Sequence, residues 1–101
     1  MAPAWLTSLE VHRTIVAHAD RLRDCYDRRL TYHPHLEGHL AISFDVRGDG
    51  ATANVHDDGS TLGVAVVQCS LEVVADLKFP APRRGVVPVT YAAGFTVPRA
   101  P

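Results

Sequence analysis

The first part of the chain carries apolar residues at helical spacing. Val11, Ile15, Leu22, Tyr26 and Leu30 recur in steps of three, four or seven, with Ala19 between them. A period of 3.6 places these on one stripe and predicts a single amphipathic helix over Ser8–Thr31. Ser8 is the expected N-cap, and Glu10 puts a negative charge in the first turn. His33-Pro34 ends the helix, because proline disfavours helical geometry in the residue before it.

The pattern then changes period. After Gly38, the apolar residues Leu40, Ile42, Phe44 and Val46 alternate with His39, Ala41, Ser43, Asp45 and Arg47. Strict alternation predicts a half-buried strand. Gly48-Asp49-Gly50 supplies turn residues, so a hairpin follows, with a return strand from Ala51 to about His56 and with Ala53 and Val55 facing inward. Beyond Asp57-Asp58-Gly59, the valine-rich stretch favours a strand on propensity. Its polar residues Gln68, Glu72 and Asp76 nevertheless recur every four positions, and Ala65 continues the stripe. That spacing predicts a helix over Leu62–Leu77, capped by Ser60 or Thr61, with Val66, Cys69, Val73 and Leu77 on its buried side. Phe79-Pro80-Ala81-Pro82 closes it. The last element, Val86 to about Val97, is extended, with Val87, Val89, Tyr91, Ala93 and Phe95 on one face. Pro88 cannot donate to a ladder, which assigns this strand to a sheet edge.

The order is therefore helix, strand, strand, helix, strand. A right-handed crossover from the hairpin to the last strand gives a three-stranded antiparallel sheet of order 2-1-3. Each strand has one apolar side, so both helices cover the same face. The fold class is α+β. The 101 residues form one domain, with a core over about 8–97 and with 1–7 and 98–101 as linker ends.

Composition narrows the function. A net charge of −1 and a pI near 6.6 exclude the basic surface that nucleic acid requires. The arginines at 21, 23, 28 and 29 are interleaved with Asp20, Asp24 and Asp27, the pattern of a solvated, ion-paired helix face. No apolar run spans a membrane. Met1–Ser8 lacks the basic start and apolar run of a secretion signal, so any attachment to a membrane needs an upstream anchor.

Cys25 and Cys69 are the two cysteines, each within a predicted helix. They suit either a disulfide joining the helices in an oxidising compartment or two buried thiols that pack as small apolar groups. The residues alone leave both readings open.

Cys25-Tyr26 and Leu30, the run Pro34-His35-Leu36-Glu37-Gly38, the strand Leu40–Val46 with Gly50, Ser60-Thr61-Leu62, Cys69 and Phe79-Pro80 follow one another in an order that resembles the AgmX/PglI C-terminal domain family. This is a TonB-like periplasmic module. Its closing Tyr-Pro-Phe-x-Phe signature is matched in part, as Tyr91-Ala92-Ala93-Gly94-Phe95. The resemblance covers nearly the whole chain. It implies the TonB C-terminal fold, a Cys25–Cys69 disulfide, and a place in the periplasm as part of an inner-membrane-anchored protein. It also implies membership of an envelope-spanning machine, of gliding motility or of energy transduction, with no catalytic residue and no cofactor.

Several side chains could carry other chemistry. His33, His35 and His39 lie close in sequence and offer a small-ligand or metal site, but zinc needs three or four ligands in fixed geometry and only Glu37 accompanies them. Cys25 near His18 or His56 lacks a third, orienting group for nucleophilic catalysis. Asp45, Asp49, Asp57 and Asp58 flank the hairpin turns without the spacing of a calcium loop, so turn chemistry accounts for them. Trp5 falls outside the helical stripe and reads as a packing residue. The last strand is the strongest candidate site. An edge strand exposes unpaired N–H and C=O groups to which an extended peptide can add. Val87, Val89, Thr90, Tyr91 and Phe95 would contact the partner, a periplasmic segment of an outer-membrane or periplasmic protein. Homodimer pairing is the competing use of the same edge.

Overall fold

The computed structural model describes residues 7–82 and 85–97. Trp5 and the pair at 83–84 lie outside these residues. The elements are α1 (Ser8–Ala17), α2 (Ala19–Leu30), β1 (Gly38–Val46), β2 (Thr52–Asp57), α3 (Val64–Ala75) and β3 (Val87–Phe95). The strands form an antiparallel sheet of order β2-β1-β3, as the alternation and the crossover rule predict.

The predicted first helix is two. His18 breaks it with φ −119° and ψ 13°. Its backbone N–H turns to the Ile15 carbonyl, while its Nδ1 lies 3.0 Å from the Thr14 carbonyl. A carbonyl only accepts, so the imidazole donates from Nδ1 and takes the acceptor that a continuous helix would give to the backbone. Ile15 and Leu22 are seven apart, so the apolar stripe runs through the break and conceals it. The N-cap also differs from the expected Ser8. Thr7 fills that role in a reciprocal capping box with Glu10.

The chain from Ser60 into α3 has another local logic than the expected cap. Gly63, at φ 88°, is the N-cap and makes no side-chain cap bond. Ser60 and Thr61 instead bind the start of β1: Ser60 Oγ accepts from the Ala41 amide at 2.8 Å, and Thr61 Oγ1 accepts from the His39 amide at 2.9 Å. The helix itself follows the polar stripe, with Gln68, Glu72 and Asp76 exposed and Val66, Val73 and Leu77 buried.

In β2, Thr52 pairs with Val46 and Ala53 with Asp45, then the register shifts between Ser43 and Asp45. Asn54 forms the bulge with φ 53°. Directly paired residues share a face, so Ala53 lies on the Asp45 side of the sheet rather than inward as its alternation suggested. Thr52 takes the inward place, and Val55 packs against the core as expected.

The core lies between the sheet and the helices. Leu40, Ile42, Phe44 and Val46 of β1 meet Leu22, Cys25 and Tyr26 of α2 and Val66, Val73 and Val74 of α3. The Tyr26 ring is fully buried, stacks on Phe95 at 5.0 Å, and its hydroxyl donates to the Leu36 carbonyl. Burial, reinforced by the nearby Glu37 charge, holds its phenol above the usual pKa. Cys25 and Cys69 are joined as a disulfide with Cα atoms 5.7 Å apart, fastening α2 to α3.

Candidate docking edge

The peptide groups of β1 assign the sides of the sheet. The carbonyls of His39 and Ala41 accept from Thr61 and Asp58, and the Arg47 amide donates to Ala51. Odd-numbered residues of β1 therefore point their peptide groups toward β2, and even-numbered residues toward β3. The partners of those even residues are Val87, Val89, Tyr91, Ala93 and Phe95. The residues between them, Pro88, Thr90, Ala92 and Gly94, must turn their peptide groups away from β1, to the open edge. Pro88 has no N–H to offer. The edge thus presents donors at Thr90, Ala92 and Gly94 and acceptors at all four. This explains how the proline is accommodated without loss of a ladder bond.

The other edge is poorly suited to pairing. β2 is short, carries the Asn54 bulge, and its first residue is held by α3 through Thr52. A bulge of this kind twists a strand out of register with an incoming one.

Beside the open edge lies a groove of about 610 Å³ between α1 and β3. Its helical wall is Val11, Ile15 and Val16, and its floor includes Val87, Val89 and Tyr91. Val16, which falls off the apolar stripe of α1, is 55% exposed. Partial burial raises the Tyr91 phenol pKa above its ordinary value of 10.0, at which the ring is already neutral at physiological pH. The structure thus brings Val87, Val89, Thr90 and Tyr91 to one edge. It sends Phe95 elsewhere: this side chain is buried against Tyr26 and belongs to the core. The sequence reading missed the α1 wall, because it joined α1 and α2 into one helix with a single apolar stripe.

The other candidates do not assemble. His39 is engaged by the Gly59 carbonyl at 2.8 Å and by Thr61, whereas His33 lies 3.2 Å from an Arg29 nitrogen. Among the described residues no three metal-ligating side chains converge. Cys25 has no thiol to act as a nucleophile, since its sulfur is bonded to Cys69. Asp49 and Asp57 do turn chemistry, whereas Asp45 accepts from Asn54 Nδ2 at 2.8 Å and Asp58 from Ser43 Oγ at 2.7 Å, contacts between side chains of the hairpin. Asp49 accepts from the Ala51 amide and Asp57 from the Ser60 amide, each at 3.0 Å, and these bonds hold both carboxyls below their usual pKa. For Asp57 the Ser60 side chain is the larger cause. The α2 face carries the expected ion pairs, Arg23–Asp27 and Arg28–Asp24 at 3.1 Å.

The chain is similar in fold to the solution structure of the TonB C-terminal domain of Helicobacter pylori. The TM-score is 0.57 at 15% identity, over 83% of this chain and 84% of that one. No family model matches, and no curated protein sequence matches. The likeness establishes a TonB-like fold; it does not single out the AgmX/PglI family.

Proposed function

We propose that this is a non-enzymatic protein-interaction domain of the bacterial periplasm. It acts in an inner-membrane-anchored, envelope-spanning complex of the energy-transduction or gliding-motility kind. One observation carries the reading: among the described residues nothing pairs with the outward peptide groups of β3, which lie beside an apolar groove, whereas the edge of β2 is bulged. An extended segment of an outer-membrane or periplasmic partner adds to β3 as a fourth strand. Backbone pairing supplies affinity, and alternate side chains supply specificity. The TonB-like fold and the Cys25–Cys69 bond support an extracytoplasmic, oxidising location. Among the described residues no helix is long and apolar enough to cross a membrane; in this reading an anchor outside the given sequence attaches the domain to the inner membrane.

The test is titration of isotope-labelled domain with periplasmic segments of candidate partners. Amide shifts should concentrate at Thr90, Ala92 and Gly94. Thr90→Pro removes an edge donor and leaves the β1–β3 ladder intact, so it should abolish the shifts while the domain stays folded. Binding that leaves β3 unperturbed contradicts the proposal.

A further inference from the structure

The helix wall beside the edge says what kind of segment fits. Residues on an added strand that lie level with Val89 and Tyr91 project to the same face as those two side chains. That face is roofed by α1. Side chains at these alternate positions would therefore enter the groove between the sheet margin and Val11, Ile15 and Val16. Residues level with Thr90 and Ala92 would project to the opposite, solvent-facing side. The two sets meet different chemistry.

Among the described residues that line the groove there is no carboxylate, lysine or arginine; His12 and Tyr91 are the titratable ones. Tyr91 is a neutral phenol at physiological pH, as an unperturbed tyrosine is. A charged side chain entering there would lose water, and among the described lining residues only the His12 imidazole could offer it an opposite charge. An aliphatic one would cover Val16 and the half-buried Val11 and Ile15. No such restriction acts on the solvent-facing positions.

We infer that α1 is the second wall of the docking site and selects segments with uncharged aliphatic side chains at two alternate positions, level with Val89 and Tyr91. The intervening positions accept polar residues. Val16 is then a specificity-determining residue. This inference rests on the edge-pairing reading and adds the partner's side-chain pattern to it.

The experiment compares two synthetic peptides titrated into the full labelled chain, Lys-Val-Thr-Val-Thr-Val-Lys and Lys-Asp-Thr-Asp-Thr-Asp-Lys. Both can pair through the backbone. The valine peptide should shift Thr90, Ala92 and Gly94 together with Val11 and Val16, and should bind at least about tenfold more tightly, since burying two valines is worth more than one decade of affinity. Val16→Glu, at an exposed rim position that tolerates substitution, should weaken the valine peptide by roughly threefold to tenfold. Equal binding of both peptides at β3, or indifference to V16E, overturns the α1 inference and leaves edge pairing standing. Shifts that survive Thr90→Pro or avoid β3 altogether overturn edge pairing and the inference with it.

Discussion

Thr52 Oγ1 lies 3.0 Å from the Val74 carbonyl and donates to it, with the Ala75 carbonyl 3.1 Å away. The hydroxyl adds a donor at the end of α3, where the Val74 carbonyl also accepts from the Leu77 amide at 3.1 Å. It reaches the two carbonyls because the Asn54 bulge turns Thr52 inward. The contact joins β2 to α3 and makes this edge of the sheet a structural one, in contrast to β3. Replacing Thr52 by Val keeps the shape and removes the donor. The expected cost is about 1 kcal/mol in urea unfolding, with an unchanged denaturant slope.

The Cys25–Cys69 bond closes a loop with a sequence separation of 44. In the chain-entropy picture such a cross-link stabilises by roughly 4 kcal/mol. For a domain of this size that is a large share of a typical margin of about 5–15 kcal/mol. The Cys25→Ala, Cys69→Ala double variant should therefore lose about 2–4 kcal/mol and show no response to reductant, whereas the parent should lose a similar amount when reduced. Paired chemical denaturation with and without dithiothreitol measures both.

Gly50 and Gly48 share a turn but not a constraint. Gly50 has φ 86°, and a Cβ there would sit 2.1 Å from the Phe79 carbonyl oxygen. That carbonyl is part of the backbone, whose amide in turn donates to the Gly50 carbonyl, so it cannot swing aside. Gly50→Ala should cost at least about 2 kcal/mol. A Cβ at Gly48 meets nothing within 4 Å, so Gly48→Ala should be neutral to within about 1 kcal/mol. Thermal unfolding of the two variants separates them.

Stability should respond to pH at both ends. Asp49 and Asp57 are held below their usual carboxyl pKa by backbone and side-chain donors. A depressed folded pKa contributes stability that is present above the unfolded value of about 3.8 and is lost as pH falls below it. Tyr26 behaves oppositely. Its raised phenol pKa contributes stability below the unfolded value of 10.0, which is lost as pH climbs past that value. An Asp49→Asn, Asp57→Asn variant should flatten the acid limb of a stability–pH curve, and Tyr26→Phe the alkaline limb.

Most of the architecture was legible from two periodicities. The alternation in β1 and the four-residue polar rhythm of Gln68, Glu72 and Asp76 set the type of each element and overrode the valine propensity of α3. The pairing order followed from chain connectivity and from Pro88. What stayed hidden was local. The break at His18 arises from a side chain competing for one carbonyl, which leaves no trace in apolar spacing. The Asn54 bulge inverts the faces of β2 through a single left-handed residue, so the alternation of Ala53 and Val55 misplaced Ala53. Ser60 and Thr61 are good cap residues that the fold uses to fasten β1. The docking edge could be read from Pro88 and the alternation of β3. The groove could not, since its helical wall belongs to a separate α1 that ends at His18, where the pattern predicts one continuous helix.

The central claim is that every second amide of β3 faces an unoccupied edge. Residue-resolved hydrogen exchange tests it most directly. In the free domain, the amides of Val89, Tyr91 and Ala93 should exchange slowly and those of Thr90, Ala92 and Gly94 rapidly, and a saturating partner segment should slow the second set. Uniform protection along β3 in the free domain, or rapid exchange at Thr90, Ala92 and Gly94 that persists at saturation, would contradict the account.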